Sequence, residues 1–177
     1  MLSRSTTISR GSAIRVSILS DSVAPSLRPL PPLPWWSGGL PFQCTQCGEC
    51  CRARGAYQFV YVGKEERRAL ARFLGLDSAA FTRRYTVRDP SGYRTLRFSG
   101  GACIFLRDNR CRVHPAKPVQ CRTWPFWPEL LRSRAVYARE VQSLCPGSRR
   151  GPRTDAAEIR RQMQETRHSE AADSRLK

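Results

Sequence analysis

Apolar positions in this chain come in short bursts broken by proline, glycine and charge, so the pattern predicts several small elements. Tyr57–Val62 reads as a strand. Lys64–Leu74 follows as a helix, with Leu70, Phe73 and Leu74 expected on one face and Glu65 and Glu66 at its positive end. Asp77 is placed to cap a second short helix running through Phe81 to Tyr85. Asp89-Pro90-Ser91-Gly92 is a turn, and Tyr93–Phe98 a strand. Gly100-Gly101 is a turn before Cys103, and Cys103–Leu106 and Arg110–His114 flank a tight hairpin at Asp108-Asn109. Pro115, Pro118, Pro125 and Pro128 impose an irregular path of short helical turns, after which Ala135–Val141 is expected to return as a strand.

This pattern bounds three regions. Residues 1–41 read as a disordered or linker extension that contains the proline-rich Leu27–Pro34. The N-terminus is rich in Arg and Ser, but Arg15 interrupts its only apolar stretch, which argues against a secretory signal. Residues 42–147 form the folded domain, with Trp35 an alternative start. Residues 148–177 read as a charged tail in which a helix is expected, but only Ile159 and Met163 are strongly apolar, too little to dock firmly. No apolar run is long enough for a membrane helix.

The net charge of +17 invites a nucleic-acid reading. Of 31 basic residues, however, only Lys64, Lys117 and Lys177 are lysines, and the charges are scattered, not gathered in a block. The composition is therefore read against a nucleic-acid partner; a basic zinc module binding nucleic acid is the lesser alternative.

The eight cysteines carry the chemistry. Cys44, Cys47, Cys50 and Cys51 form a CxxCxxCC run; Cys103, Cys111, Cys121 and Cys145 are dispersed. Two intervening residues let a chain turn so that both sulfurs face one centre, and Gly48 can take such a turn cheaply. Several thiolates suit a soft cation, zinc or an iron–sulfur cluster. If Cys50 and Cys51 were extended, their side chains would diverge, leaving Cys51 to a second centre or one of the pair unused. The run departs from the bacterial ferredoxin pattern, so the remaining ligands must come from the distant group. Disulfides are the competing reading, but they require an oxidising compartment.

These segments, FQCTQCGECCR, GACIFLRDNRCRVHPAKPVQCRTWPFWP and CPG, resemble the YkgJ-type cysteine-cluster family, whose members carry a CxxCxxCC zinc- or iron-chelating domain. The resemblance covers about Phe42 to Gly147. It implies metal or Fe–S binding by Cys44, Cys47, Cys50, Cys51, Cys103, Cys111, Cys121 and Cys145, and no settled activity. Some flagellin lysine N-methylases share a similar cluster, so a group-transfer enzyme is the alternative; it would need a pocket with convergent polar groups outside the cysteines. Lys117, where the family usually has arginine, and His114, where an aromatic is common, are departures.

His114 could complete a Cys3His site but reads first as an ordinary half-buried side chain. Trp124, Phe126 and Trp127 read as a shield for the centre, in preference to a stacking platform, and Arg122 as a donor to its sulfurs. No Ser–His–Asp set, dinucleotide fingerprint or P-loop is present. The expectation is a small cytoplasmic α+β domain with little regular structure, organised around a cysteine-ligated metal centre, its protein partner unknown and no membrane involved.

Overall fold

A computed structural model describes residues 32–55 and 58–174, with side chains to 170. The readings for residues 1–31 and for Tyr57 lie outside the described residues.

Regular structure is sparse and mixed, as the short apolar bursts imply. Among the described residues the strands pair two by two and antiparallel. Leu40–Pro41 (β1) pairs with Arg153–Thr154 (β8), Leu40 opposite Thr154. Thr86–Arg88 (β2) pairs with Arg94–Leu96 (β3). Phe98–Ser99 (β4) turns into Ala102–Cys103 (β5), and Leu106–Arg107 (β6) into Arg110–Cys111 (β7). The last two are two-residue hairpins with both loop residues at positive φ: Gly100 at 57° and Gly101 at 74°, Asp108 at 49° and Asn109 at 59°. Those dihedrals match the right-handed twist of the flanking strands.

Helix α1, Lys64–Phe73, keeps Glu65 and Glu66 in its first turn. Asp77 caps α2, Ser78–Tyr85, accepting from the backbone N–H groups of Ala79 at 2.9 Å and Ala80 at 2.8 Å. One core lies under α1 and α2, with Leu70, Phe81, Leu96, Phe105 and Val113 almost wholly buried. The other gathers Trp36, Phe126, Leu130, Tyr137, Val141 and Ile159. Trp36 packs in this second core and Trp35 against it, ahead of the expected start at Phe42.

Four expectations need correction. Phe73 is 46% exposed: it sits on the flank of α1 while Leu70 carries the buried face. Of the strand expected over Tyr57–Val62, the described residues 58–62 form no regular strand; 60–62 lie against β3, Val62 donating to Arg94 O at 2.9 Å and Leu96 to Val60 O at 2.8 Å. Ala135–Val141 is helical: α4, Arg134–Tyr137, passes into a π-helical turn, Ala138–Gln142, with Val136 and Val141 buried. Ser133 starts it by accepting from Val136 N at 3.2 Å, which satisfies a donor that a strand would have left to a partner. Finally, the tail helix docks. Helix α5, Ala156–Ser174, buries Ile159 completely and Thr166 to 3% exposure, and packs along α3, Val119–Thr123. Few apolar residues suffice because polar ones complete the contact: Thr166 Oγ1 bonds Thr123 Oγ1 at 2.8 Å, Arg122 pairs with Glu165, and Arg160 lies over the Trp36 ring. No helix among the described residues is long and apolar enough to cross a membrane.

Candidate metal centre

Three short segments bring the cysteines together. The first is the CxxCxxCC run, which bends at Gln46 and Gly48, with φ of 53° and 77°, into a 3-10 turn over Glu49–Cys51 closed by Cys51 N donating to Gly48 O at 2.9 Å. Gly48 lies so close to the Asp108–Asn109 turn that a Cβ would fall 2.6 Å from Asn109 O. Arg52 reinforces this approach by donating to Asn109 Oδ1 at 2.7 Å, and Ala53 N bonds Gly101 O at 2.8 Å. The run is thereby laid across the hairpins that carry Cys103 and Cys111.

The second segment is α3, which carries Cys121 and is held from both sides. Glu66 accepts from Val119 N at 2.7 Å while its other oxygen accepts from Gly63 N at 2.9 Å. Gln120 accepts from Tyr61 N at 2.9 Å and donates to Phe59 O at 3.0 Å. The third is the Cys145–Gly147 segment, tied to the start of the run by Gln43 N donating to Gly147 O at 3.0 Å.

Six of the eight predicted residues, Cys44, Cys50, Cys51, Cys103, Cys111 and Cys121, line one cavity of about 50 Å³, with His114, Lys117 and Trp124 also on its wall. Cys47 and Cys145 are not on that wall; Cys145 is buried in the core that holds Trp36 and Tyr137. All eight are free thiols. The 3-10 turn changes the expectation for the adjacent pair: Cys50 and Cys51, not being extended, both reach the same cavity.

The thiols share protons unevenly. Hydrogen bonds to Cys111 and Cys50, together with burial, hold the Cys51 thiol well above the ordinary range, making it the donor. The bond from Cys51 brings Cys111 down to about 6, helped by the Val113 N–H and the Lys117 charge. The same donor brings Cys50 to about 7, again with Lys117 assisting. Burial pushes Cys103 up to about 11 and raises Cys121, whose sulfur is deep although the residue as a whole is half-buried. Low-pKa thiolates beside a lysine are the form in which cysteine binds metals.

Other predicted residues fall differently. His114 lies on the cavity wall, its Nε2 3.7 Å from Cys44 Sγ and 3.4 Å from Lys117 Nζ. Arg122 does not face the sulfurs: it pairs with Glu165 on α5 and bonds Lys117 O at 3.3 Å. Trp124, Phe126 and Trp127 are at most 9% exposed, which removes the stacking platform; Trp124 walls the cavity, and Trp127 packs on it edge-on at 5.0 Å. Unforeseen were Glu66, Gln120 and the Gly48–Asn109 contact. A half-buried carboxylate reaching an N–H 53 residues away leaves no sequence signal, whereas the glycine did mark the turn.

The donor set fits a sulfur-bound metal: soft ligands in excess, a neighbouring cation and an apolar wall. Among the described residues, no three Cys, His, Asp or Glu side chains are arranged around one point as an ion requires. Binding would therefore have to draw the sulfurs inward as protons leave.

A family model described as CxxCxxCC, putative zinc- or iron-chelating domain, matches residues 43–146. The chain belongs to this family. The match covers more than half of the chain and includes all eight cysteines. Zinc and iron, the metals of the family description, are both compatible with such a donor set. No solved structure is found to match the chain.

Proposed function

We propose that this CxxCxxCC protein holds zinc or an Fe–S cluster through thiolates drawn from the six cysteines lining the cavity, with Cys47 and Cys145 just outside, and that the metal stitches its fold together. The observation that carries the reading is the placement of the Cys44–Cys51 run against the hairpins of Cys103 and Cys111, sustained by Gly48 and Arg52. A metal there would join segments about 60 residues apart in sequence, so its binding energy is also folding energy. Reduced thiols suit a reducing compartment such as the cytoplasm.

The group-transfer alternative draws less support. A second cavity of about 50 Å³ adjoins Cys50 and Cys121 and includes Arg52, Arg54, Gln120 and Glu140. Each of these is already engaged: Arg52 with Asn109, Arg54 with Glu49, Gln120 with backbone, and Glu140 with Arg139 at 2.7 Å. Anaerobic purification with metal and acid-labile sulfide analysis tests the proposal. A coloured protein with sulfide matching iron selects the cluster; a colourless one with zinc selects the ion; a folded chain that takes up neither overturns the reading.

A further inference from the structure

Of three indoles at or near the core, those of Trp35, Trp124 and Trp127, one lacks a hydrogen-bond partner among the described residues. Trp35 Nε1 donates to Leu131 O at 2.7 Å, and Trp127 Nε1 to Gln120 O at 2.9 Å. Trp124 is 9% exposed, and its Nε1 is buried with no hydrogen-bond partner among the described residues. A buried, unbonded N–H is costly and calls for an explanation. Trp124 also follows directly on α3, which carries Cys121, and lines the cavity that six cysteines share.

The acceptors around it narrow the choice. A protonated thiol accepts poorly, while an ionised acceptor makes a bond roughly twice as strong as a neutral one. The neighbouring cavity offers one carboxylate, Glu140, already paired with Arg139. The cysteine cavity offers sulfurs that become thiolates when a metal displaces their protons. We infer that the Trp124 indole N–H donates to a metal-bound sulfur of the centre and is a positioning residue for it. The inference rests on the thiolate-centre reading above. It also accounts for a tryptophan at this wall position, where any large apolar side chain would exclude water equally well.

The test uses the full-length chain with nitrogen-labelled tryptophan, loaded with the spin-active cadmium isotope. The Trp124 indole proton is assigned by its loss in Trp124→Phe. Cadmium binding is followed separately by sulfur-to-metal absorption. The expected result is a scalar coupling between that proton and cadmium, with hydrogen exchange slowed at least about tenfold on loading, while the Trp35 and Trp127 protons show no coupling. Trp124→Phe should weaken cadmium retention in chelator competition by about 10- to 100-fold. Should that variant fail to fold, the wild-type coupling still decides, with assignment by contacts to Trp127. Cadmium bound through sulfur, with neither coupling nor slowed exchange at Trp124, overturns the inference and leaves the centre standing. A chain that binds no cadmium overturns the centre, and the donor role with it.

Discussion

Gly48→Ala isolates the contact on which the convergence of the cysteines depends. Gly48 has φ of 77°, a conformation that costs an L-residue about 1–2 kcal/mol. An added Cβ would also sit 2.6 Å from Asn109 O and 2.7 Å from Leu106 Cδ1. The leucine methyl can swing away, but the carbonyl belongs to a tight turn, so either the run or the hairpin must shift. Overpacking of this kind costs about 1–3 kcal/mol. The two contributions together come to about 2–5 kcal/mol. If that cost falls on the metal-loaded arrangement, retention should drop at least about 30-fold, because 1.4 kcal/mol is about tenfold. Gly75→Ala is the matched control: its φ is 66°, but nothing lies within 4 Å of an added Cβ. It should lose only the conformational part and keep its metal. The assay is competition with a chromophoric chelator, alongside thermal melting. Equal metal retention in the two variants would refute the claim that Gly48 seats the run on the hairpin.

Further outcomes follow from the contacts around the centre. Glu66→Ala should cost about 2–3 kcal/mol in denaturant unfolding, because two N–H groups lose a carboxylate acceptor; a loss under about 0.5 kcal/mol would show that α3 is held without it. Ile159→Ala should cost about 2–5 kcal/mol, since the side chain is fully buried under α5; a near-neutral result would mean that the tail helix does not dock. Lys117→Gln should weaken metal retention about tenfold, with Lys117→Arg close to wild type, because Lys117 favours the thiolate forms of both Cys50 and Cys111. Unchanged retention in Lys117→Gln would remove that charge from the account.

What could be read from the sequence was what local chemistry decides. Asp77 caps α2 because its carboxylate lies two and three residues from the N–H groups it accepts. Gly100-Gly101 and Asp108-Asn109 make hairpins because those residue types tolerate positive φ. The cysteines announced sulfur chemistry by type and spacing. The errors came where distant partners overrule local pattern. Ala135–Val141, expected as a strand, is helical, and Ser133 three residues before Val136 is the helix signal. α5 seemed too polar to dock because its attachment runs through a Thr166–Thr123 hydroxyl pair and a cation over Trp36. An extended backbone would part Cys50 and Cys51, whereas the turn after Gly48 places both on one cavity. Nothing local tells which of eight thiols share that cavity, because their meeting depends on Glu66, Gln120 and Asn109, each bonded far along the chain.

X-ray absorption at the edge of the bound metal, recorded on the anaerobically prepared full-length protein, tests the convergence itself. The account predicts a first shell of about four sulfurs near 2.3 Å if the metal is zinc, and a sulfur shell with a metal–metal neighbour if it is a cluster. It predicts the loss of that shell in Cys111→Ser and Cys121→Ser alike. A shell dominated by nitrogen or oxygen, or one unchanged in both variants, would contradict it.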